Sequence, residues 1–515
     1  MPQRAVLAID QGTTNTKALL VAADGKVLGS AAAPVKLRNP RPGWFEQDPE
    51  DLWASVLRAV AACLAAGGHP KTAAVAISNQ RESVLAWERR GGQPRSPVLG
   101  WQDARTADFC RQIADQAAVI RRRTGLALSP MFSAPKLRWL ADHAFLDQAD
   151  LQAGTVDAYL LARITGRGAT EPGNASRTLL VDLARADWSE ELLGVFGLPA
   201  RILPGIRPSD AEFGRVLDGL PIPAGTPVRA VLGDSHAALY AHGIGDPGQV
   251  KATYGTGSSV MAPLAAPPAE LGRVAATIAW QAADQVVYAL EGNILATGAA
   301  LDTMARILGL RDVAALTALA AQAEPSRLSV VPAFAGLGAP HWRPDAIGLV
   351  CGLARDTTPA QVAHAAMDCV AQQICDVLDG IGQTGQTGQA GHRVTALAAD
   401  GGPSANPVLM QLQADLAGVP VAVAGRAELS ALGVAKLAWR ALGEPADWDL
   451  NRRVHEPGRT PEWRAEQRAR WADALGRSWT HDPQPPPETQ PETQPGTQPQ
   501  PRTQRQQPQP EWSTP

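Results

Sequence analysis

The stretch Ala5-Val6-Leu7-Ala8-Ile9-Asp10-Gln11-Gly12-Thr13-Thr14-Asn15-Thr16-Lys17-Ala18-Leu19-Leu20-Val21 decides how the rest of the chain is read. Five apolar residues run into a carboxylate, a glycine and a string of hydroxyl and amide side chains, and a second run, residues 17–21, follows. The pattern is strand, tight polar turn, strand. With Asp10 at a strand end, such a turn can hold a metal ion while Gly12, Thr13 and Thr14 offer amides and hydroxyls to phosphate. The same residue types also build ordinary polar hairpins. A comparable unit recurs at mid-chain, where residues 249–253 lead into Tyr254-Gly255-Thr256-Gly257-Ser258 and residues 259–262 follow. Two hairpins of one type half a chain apart predict two related lobes. The first is expected to close at the turn-rich Gly243-Ile244-Gly245-Asp246-Pro247-Gly248, so that the lobes span residues 1–243 and 244–481.

A third landmark is the apolar run 394–399, a strand candidate ending in Asp400-Gly401-Gly402-Pro403. Asn406 is a good helix cap, Pro407 suits a first helical position, and Val408, Leu409, Leu412 and Leu416 form an apolar stripe that Gly418 ends. Glycines between a strand and a helix let a flat or anionic ligand approach the backbone. Asn79-Gln80-Arg81-Glu82 follows the apolar run 73–77, at a strand end where ligands collect in open α/β sheets; a surface ion pair is the plainer reading. Asp234 follows Val231-Leu232-Gly233, placed either to take a proton from a substrate hydroxyl or to cap the next helix. The neighbouring Ser235 and His236 do not make a hydrolase triad with it. Adjacent residues rarely present that geometry, and no G-x-S-x-G elbow occurs.

Composition narrows the class. The 515 residues carry a formal net charge of −3, which gives no broad positive field for nucleic acid or an anionic membrane surface. No window holds about 18 uninterrupted apolar residues, and the apolar run at the N-terminus is too short for a signal-peptide core, so a cytoplasmic location is expected. The cysteines, Cys63, Cys110, Cys351, Cys369 and Cys375, lack metal-site spacing and read as buried free thiols. Apolar runs rich in β-branched residues alternate with Ala-rich helical segments, which favours a mixed α/β class. Residues 482–515, dominated by proline and glutamine, read as a disordered tail. The sequence admits a homo-oligomer without specifying one.

Together these segments resemble the FGGY family of carbohydrate kinases, with the glycerol kinases as the nearest branch. Two long family patterns carry the resemblance: Met131-Phe132-Ser133-Ala134-Pro135-Lys136-Leu137-Arg138-Trp139-Leu140-Ala141-Asp142-His143, and the segment from Gly348 through Leu353 to Gln361-Val362 and Ala365-Ala366-Met367-Asp368. Shorter motifs of the glycerol kinase type include Gly43-Trp44-Phe45-Glu46-Gln47-Asp48-Pro49, Trp101-Gln102-Asp103, Asn174-Ala175-Ser176-Arg177-Thr178 and Pro332-Ala333-Phe334-Ala335-Gly336.

The resemblance implies two ribonuclease-H-like lobes of the actin and hexokinase type, with ATP and substrate in the cleft between them. It implies that Asp10 positions Mg²⁺ and that Gln11, Gly12, Thr13, Thr14, Asn15 and Lys17 surround the phosphates. Gly255, Thr256 and Gly257 would form a second phosphate loop, and Gly298, Gly401, Gly402 and Asn406 would lie at the nucleotide. Asp234 would be the base, in a substrate pocket with Arg81, Glu82, Trp101, Met131, Ser235 and Ser259. Here the sequence departs from the glycerol kinase pattern. A tyrosine expected at 131 is Met131, a glutamine expected after the acid is Ser235, and an aromatic expected at 259 is Ser259. Ser133-Ala134-Pro135-Lys136 looks more like xylulose kinases. Glycerol is the first expectation for the substrate. Another polyol or a ketose (erythritol, xylitol, ribitol, xylulose) is the alternative, and a non-catalytic nucleotide-binding regulator on the same fold is a more distant one.

Overall fold

Residues 5–9 are fully buried in the computed structural model, which describes residues 4–143, 150–244, 248–384 and 393–479. The Pro/Gln-rich tail and residues 245–247 of the turn-rich stretch lie outside the described residues. Burial on both faces follows from the period of two along a strand. Ala5, Leu7 and Ile9 face helices Pro49–Ala66 and Val156–Thr165, while Val6 and Ala8 face helices Asp234–His242 and Leu429–Ala441. Helix Pro49–Ala66 starts where its sequence says it should. The Asp48 carboxylate caps the amides of Glu50 and Asp51, Pro49 takes the first position, and Leu52, Val56, Ala59, Val60 and Cys63 bury one stripe. Each such aliphatic side chain, taken fully out of water, contributes about 1.5–3 kcal/mol.

The first sheet runs in the order Gly214–Arg215, Pro227–Gly233, Lys71–Asn79, Arg4–Gln11, Asn15–Val21, Val27–Pro34. Strand Arg4–Gln11 pairs antiparallel with Asn15–Val21 and parallel with Lys71–Asn79, which in turn pairs parallel with Pro227–Gly233. The second large sheet repeats the plan: Ala275–Ala282, Gln285–Ile294, Ser258–Leu264, Gln249–Tyr254, Ala396–Asp400, Val421–Val423, Arg453–His455. Again a hairpin has an antiparallel neighbour on one side and two parallel strands on the other. The expected mixed α/β fold of two related lobes is therefore the observed one.

Helix Leu429–Ala441, late in the chain, packs on the first sheet and along helix Asp234–His242. The two helices approach so closely that a Cβ at Gly433 would strike the carbonyl of Ala237. A smaller antiparallel sheet, Leu37–Arg38, Glu46–Gln47, Val98–Leu99, Val84–Glu88, Leu151–Thr155, carries the loops that hold Arg81, Glu82 and Trp101. Cys63, Cys110, Cys369 and Cys375 are buried free thiols as expected; Cys351, on the short strand Leu349–Cys351, is only half-buried. Among the described residues no helix is long and apolar enough to cross a membrane.

Candidate active site

The register of the first sheet assembles the site. Asp10 lies beside Ser78 and Gln11 beside Asn79, while Gly233 sits opposite Asn79 on the other side. Three parallel strands thus end together, and Asp234 follows as the first residue of its helix. Ser78 Oγ donates to Asp10 Oδ1 at 2.8 Å. Burial, reinforced by the like charge of Asp234 and opposed by the Ser78 hydrogen bond and Lys17, lifts the Asp10 carboxyl to about 6. Asp234 is also pushed upward, by its enclosure and by Glu82, against the pull of Arg81. Its side chain is nevertheless 41% exposed, so the carboxylate is walled by protein yet open to a ligand from solvent. The helix-capping alternative is not what the geometry shows, because Gly233 is the cap residue and the one helix amide that donates to the Asp234 side chain among the described residues is that of the adjacent Ser235, at 2.6 Å.

Arg81 and Glu82 are both buried, which removes the reading of a surface ion pair. They do not pair with each other. Arg81 reaches Asp234 through Nε at 3.3 Å and grips Glu291 with both Nη atoms, at 2.7 and 3.1 Å. Glu82 accepts from Arg177 Nε at 2.6 Å, and Arg177 Nη1 lies 2.7 Å from Glu291. Glu82 adopts a left-handed backbone, φ 62°, held in place by that ion pair and by Ser133 Oγ donating to its carbonyl. His236 is fully buried against Arg81, 3.4 Å away, and burial beside that cation drives its pKa far down.

The polar turn is braced from the small sheet. Gln47 donates to the Thr13 carbonyl at 2.6 Å, Trp101 Nε1 to Thr13 Oγ1 at 3.0 Å, and Gln80 to the Gln11 side chain at 3.0 Å. Thr14 and Asn15 stay exposed, and Lys17 Nζ is paired with Glu428 at 2.6 Å. Lys136, fully buried, donates to the carbonyls of Gly100 (3.2 Å) and Met131 (2.6 Å) and so ties the Trp101 loop to Met131. Burial brings this lysine down to about 7, with Glu82 and Asp103 opposing.

A second group gathers around the mid-chain turn. The amides of Thr297 and Ala299 donate to the Thr256 carbonyl and that of Gly298 to Gly255, which seats the start of helix Gly298–Ile307 on the turn. Gly401, φ 91°, presses on the Tyr254 carbonyl where no side chain would fit, whereas Gly402 faces open space. Asn406 is spent locally: its oxygen caps the amides of Val408 and Leu409 and its nitrogen donates to Thr317 Oγ1 at 2.8 Å. Lys251 and Asp400 connect the two groups. Lys251 is fully buried, donates to the Ser235 carbonyl at 3.4 Å, and is depressed by burial despite Asp400. His242 Nε2 lies 2.8 Å from Asp400 Oδ2.

Sequence reasoning missed Glu291, Lys251, Ser78 and Glu428, and named Arg177 only within a motif. A signal existed for two of them. Glu291 is the lone charge in the apolar strand Gln285–Ile294 and Lys251 the lone charge in Gln249–Tyr254, and a charge in a buried strand must find a partner.

Comparison with known proteins agrees with this geometry. The model of the FGGY family of carbohydrate kinases, N-terminal domain, matches residues 5–241, and the C-terminal domain matches residues 250–442. An apulose kinase of Pectobacterium atrosepticum is 40% identical over 501 residues, covering 92% of this chain and 98% of the relative. A glycerol kinase of Methylobacterium nodulans is 41% identical over 497 residues, with the same coverage. The crystal structure of Plasmodium falciparum glycerol kinase with ADP shares the fold at a TM-score of 0.85 and 24% identity, covering 93% of this chain and 99% of that one. The chain belongs to the FGGY family of carbohydrate kinases and is an ATP-dependent kinase of a sugar or polyol.

Proposed function

We propose that the acceptor is a small polyol or ketose phosphorylated on a terminal hydroxyl, that Asp234 is the base, and that a four- or five-carbon acceptor fits better than glycerol. The observation that carries the reading is Asp234 itself, raised in pKa, open to solvent and oriented by Arg81 at 3.3 Å. In this reading Asp234 takes the proton of the acceptor hydroxyl as its oxygen bonds the γ-phosphorus and the bond to the departing ADP breaks. Arg81, Glu82 and Trp101 orient the acceptor. Met131 lacks a phenolic hydroxyl and the small Ser235 and Ser259 stand where larger groups are expected in a glycerol kinase; a missing hydroxyl partner can change discrimination greatly. The apulose kinase and glycerol kinase relatives stand at nearly equal identity, so the pocket wall is the better guide.

The turns 11–15 with Lys17 and 255–257, together with Gly298, Gly401, Gly402 and the Asn406 corner, would hold ATP. The donor set also suits a cation bound mainly through phosphates. Among the described residues no three His, Cys, Asp or Glu converge to cage a metal, and Asp10 is a single half-buried carboxylate without a cationic hydrogen-bond partner. Mg²⁺ bound at Asp10 would neutralise phosphate charge. The boundary near residue 243 and a cytoplasmic location belong to the same reading.

The test is ADP release with glycerol, erythritol, ribitol, xylitol, xylulose and ribulose. The expected result is a higher kcat/KM for one of the longer acceptors than for glycerol. A clear glycerol optimum would make this a glycerol kinase, which the retained Arg81, Glu82, Trp101 and Asp234 also allow. ATP binding without turnover of any acceptor would point instead to a regulator.

A further inference from the structure

We infer that Glu291 is the positioning residue of the acceptor site and that it makes Ser259 a pure hydrogen-bond acceptor, selecting substrates with a hydroxyl distal to the one phosphorylated. This inference rests on the kinase reading above and deepens it.

Glu291 is fully buried and receives three partners: Arg81 on both carboxylate oxygens, Arg177 at 2.7 Å and Ser259 Oγ at 3.2 Å. Burial alone would raise its pKa, but Arg177 and Arg81 overwhelm that and hold it far below the usual range, as an anion. A carboxylate anion has no hydrogen to give, so Ser259 must donate. A serine hydroxyl has one hydrogen and two lone pairs. With the hydrogen spent on Glu291, Ser259 offers only lone pairs to anything else it meets. A hydroxyl satisfies that demand; a carbonyl or phosphate oxygen does not.

The same residue links the two arginines that hold Asp234 and Glu82. Asp234, Arg81, Glu291, Arg177 and Glu82 form a chain of alternating charge in which all but Asp234 are buried. Four of these residues come from the first half of the sequence. Glu291 comes from strand Gln285–Ile294 of the second sheet, so the chain closes only where the two sheets meet. Without the Glu291 charge, both guanidiniums would turn to Asp234 and Glu82, and the base would lose its orientation.

The experiment uses the full chain with Glu291→Gln, Glu291→Asp and Ser259→Ala. Acceptors are erythritol and 1-deoxyerythritol, which differ by one terminal hydroxyl. The wild type should prefer erythritol by about 100-fold in kcat/KM, and Ser259→Ala should bring the preference below about tenfold. Glu291→Gln should lower kcat about 100-fold with KM for ATP unchanged and also shrink the preference, with partial recovery of kcat in Glu291→Asp. A merely structural role would lower thermal stability and all kinetic constants together. An unchanged preference in Ser259→Ala overturns the inference even if Glu291→Gln fails to fold. If the wild type turns over neither polyol, the proposed acceptor reading fails, and calorimetry with the same two polyols decides: equal affinities also overturn the role of Ser259.

Discussion

The two hairpin turns occupy equivalent places in sheets of the same plan, yet they handle charge in opposite ways. In the first, the acid is on the hairpin strand, Asp10, and a hydroxyl, Ser78, is opposite it on the parallel neighbour. In the second, Thr253 holds the hairpin position and the acid, Asp400, is on the parallel neighbour. Asp400 is compensated. Burial would raise it, but the hydrogen bond from His242 and the charge of Lys251 hold it below the usual carboxylate range, while His242, depressed by burial, donates as a neutral imidazole. At Asp10 the Ser78 hydrogen bond and the charge of Lys17 do not outweigh burial, and the carboxyl is lifted to about 6. The two acids are therefore unequally compensated, which is what the cation role proposed for Asp10 requires.

This contrast can be broken most sharply outside both turns. Asp234→Asn should lower kcat about 10³-fold with little change in melting temperature, because it removes a base and no packing. Retained turnover would sink the assigned base and with it the unequal use of acids. Next comes the pair itself: Asp10→Asn should cost about 10²-fold or more in kcat at saturating ATP and weaken the dependence on Mg²⁺, whereas Asp400→Asn should cost less than about tenfold. Similar losses in steady-state assays of both would erase the distinction.

His242→Ala should leave Asp400 buried without its partner and cost about 3 kcal/mol in denaturant unfolding, a larger effect than the roughly 1 kcal/mol expected of Ser78→Ala beside Asp10.

The smallest effect is in pH. Asp10, raised in the fold, loses stability as pH rises from its unfolded value of 3.8 through about 6. Asp400, lowered in the fold, adds stability above the unfolded value and loses it only as pH falls through its depressed one. Asp10→Asn should thus stabilise the nucleotide-free, chelator-treated enzyme by on the order of 1 kcal/mol at pH 8, with the gain fading toward pH 4. A melting-temperature difference that grew on acidification would contradict that sign.

Much of the fold was legible because its signals are local. Asn406-Pro407 and Gly418 bracket a helix by capping chemistry, and both hairpins announce themselves by a strand period broken by glycine and hydroxyl residues. Of the site, Asp10, Asp234 and the Arg81-Glu82 step were readable as polar groups at strand ends. Their partners were not. Sequence suggested that Arg81 and Glu82 belong to each other, but the bend at Glu82 sends the two side chains to different partners. Nor does sequence spacing show that the Asn406 side chain joins the helix it starts to Thr317 of another helix.

By itself the sequence determined the strands, caps and turns, because hydrophobic period and turn chemistry are relations between near neighbours in the chain, and its long motifs carried the family resemblance. Tertiary structure alone decided that Arg81 meets Glu291, 210 residues away, and that His242 meets Asp400, 158 residues away. Buried charges take whichever opposite charge the fold brings within reach, since leaving one uncompensated costs several kcal/mol, and sequence spacing carries no record of that choice.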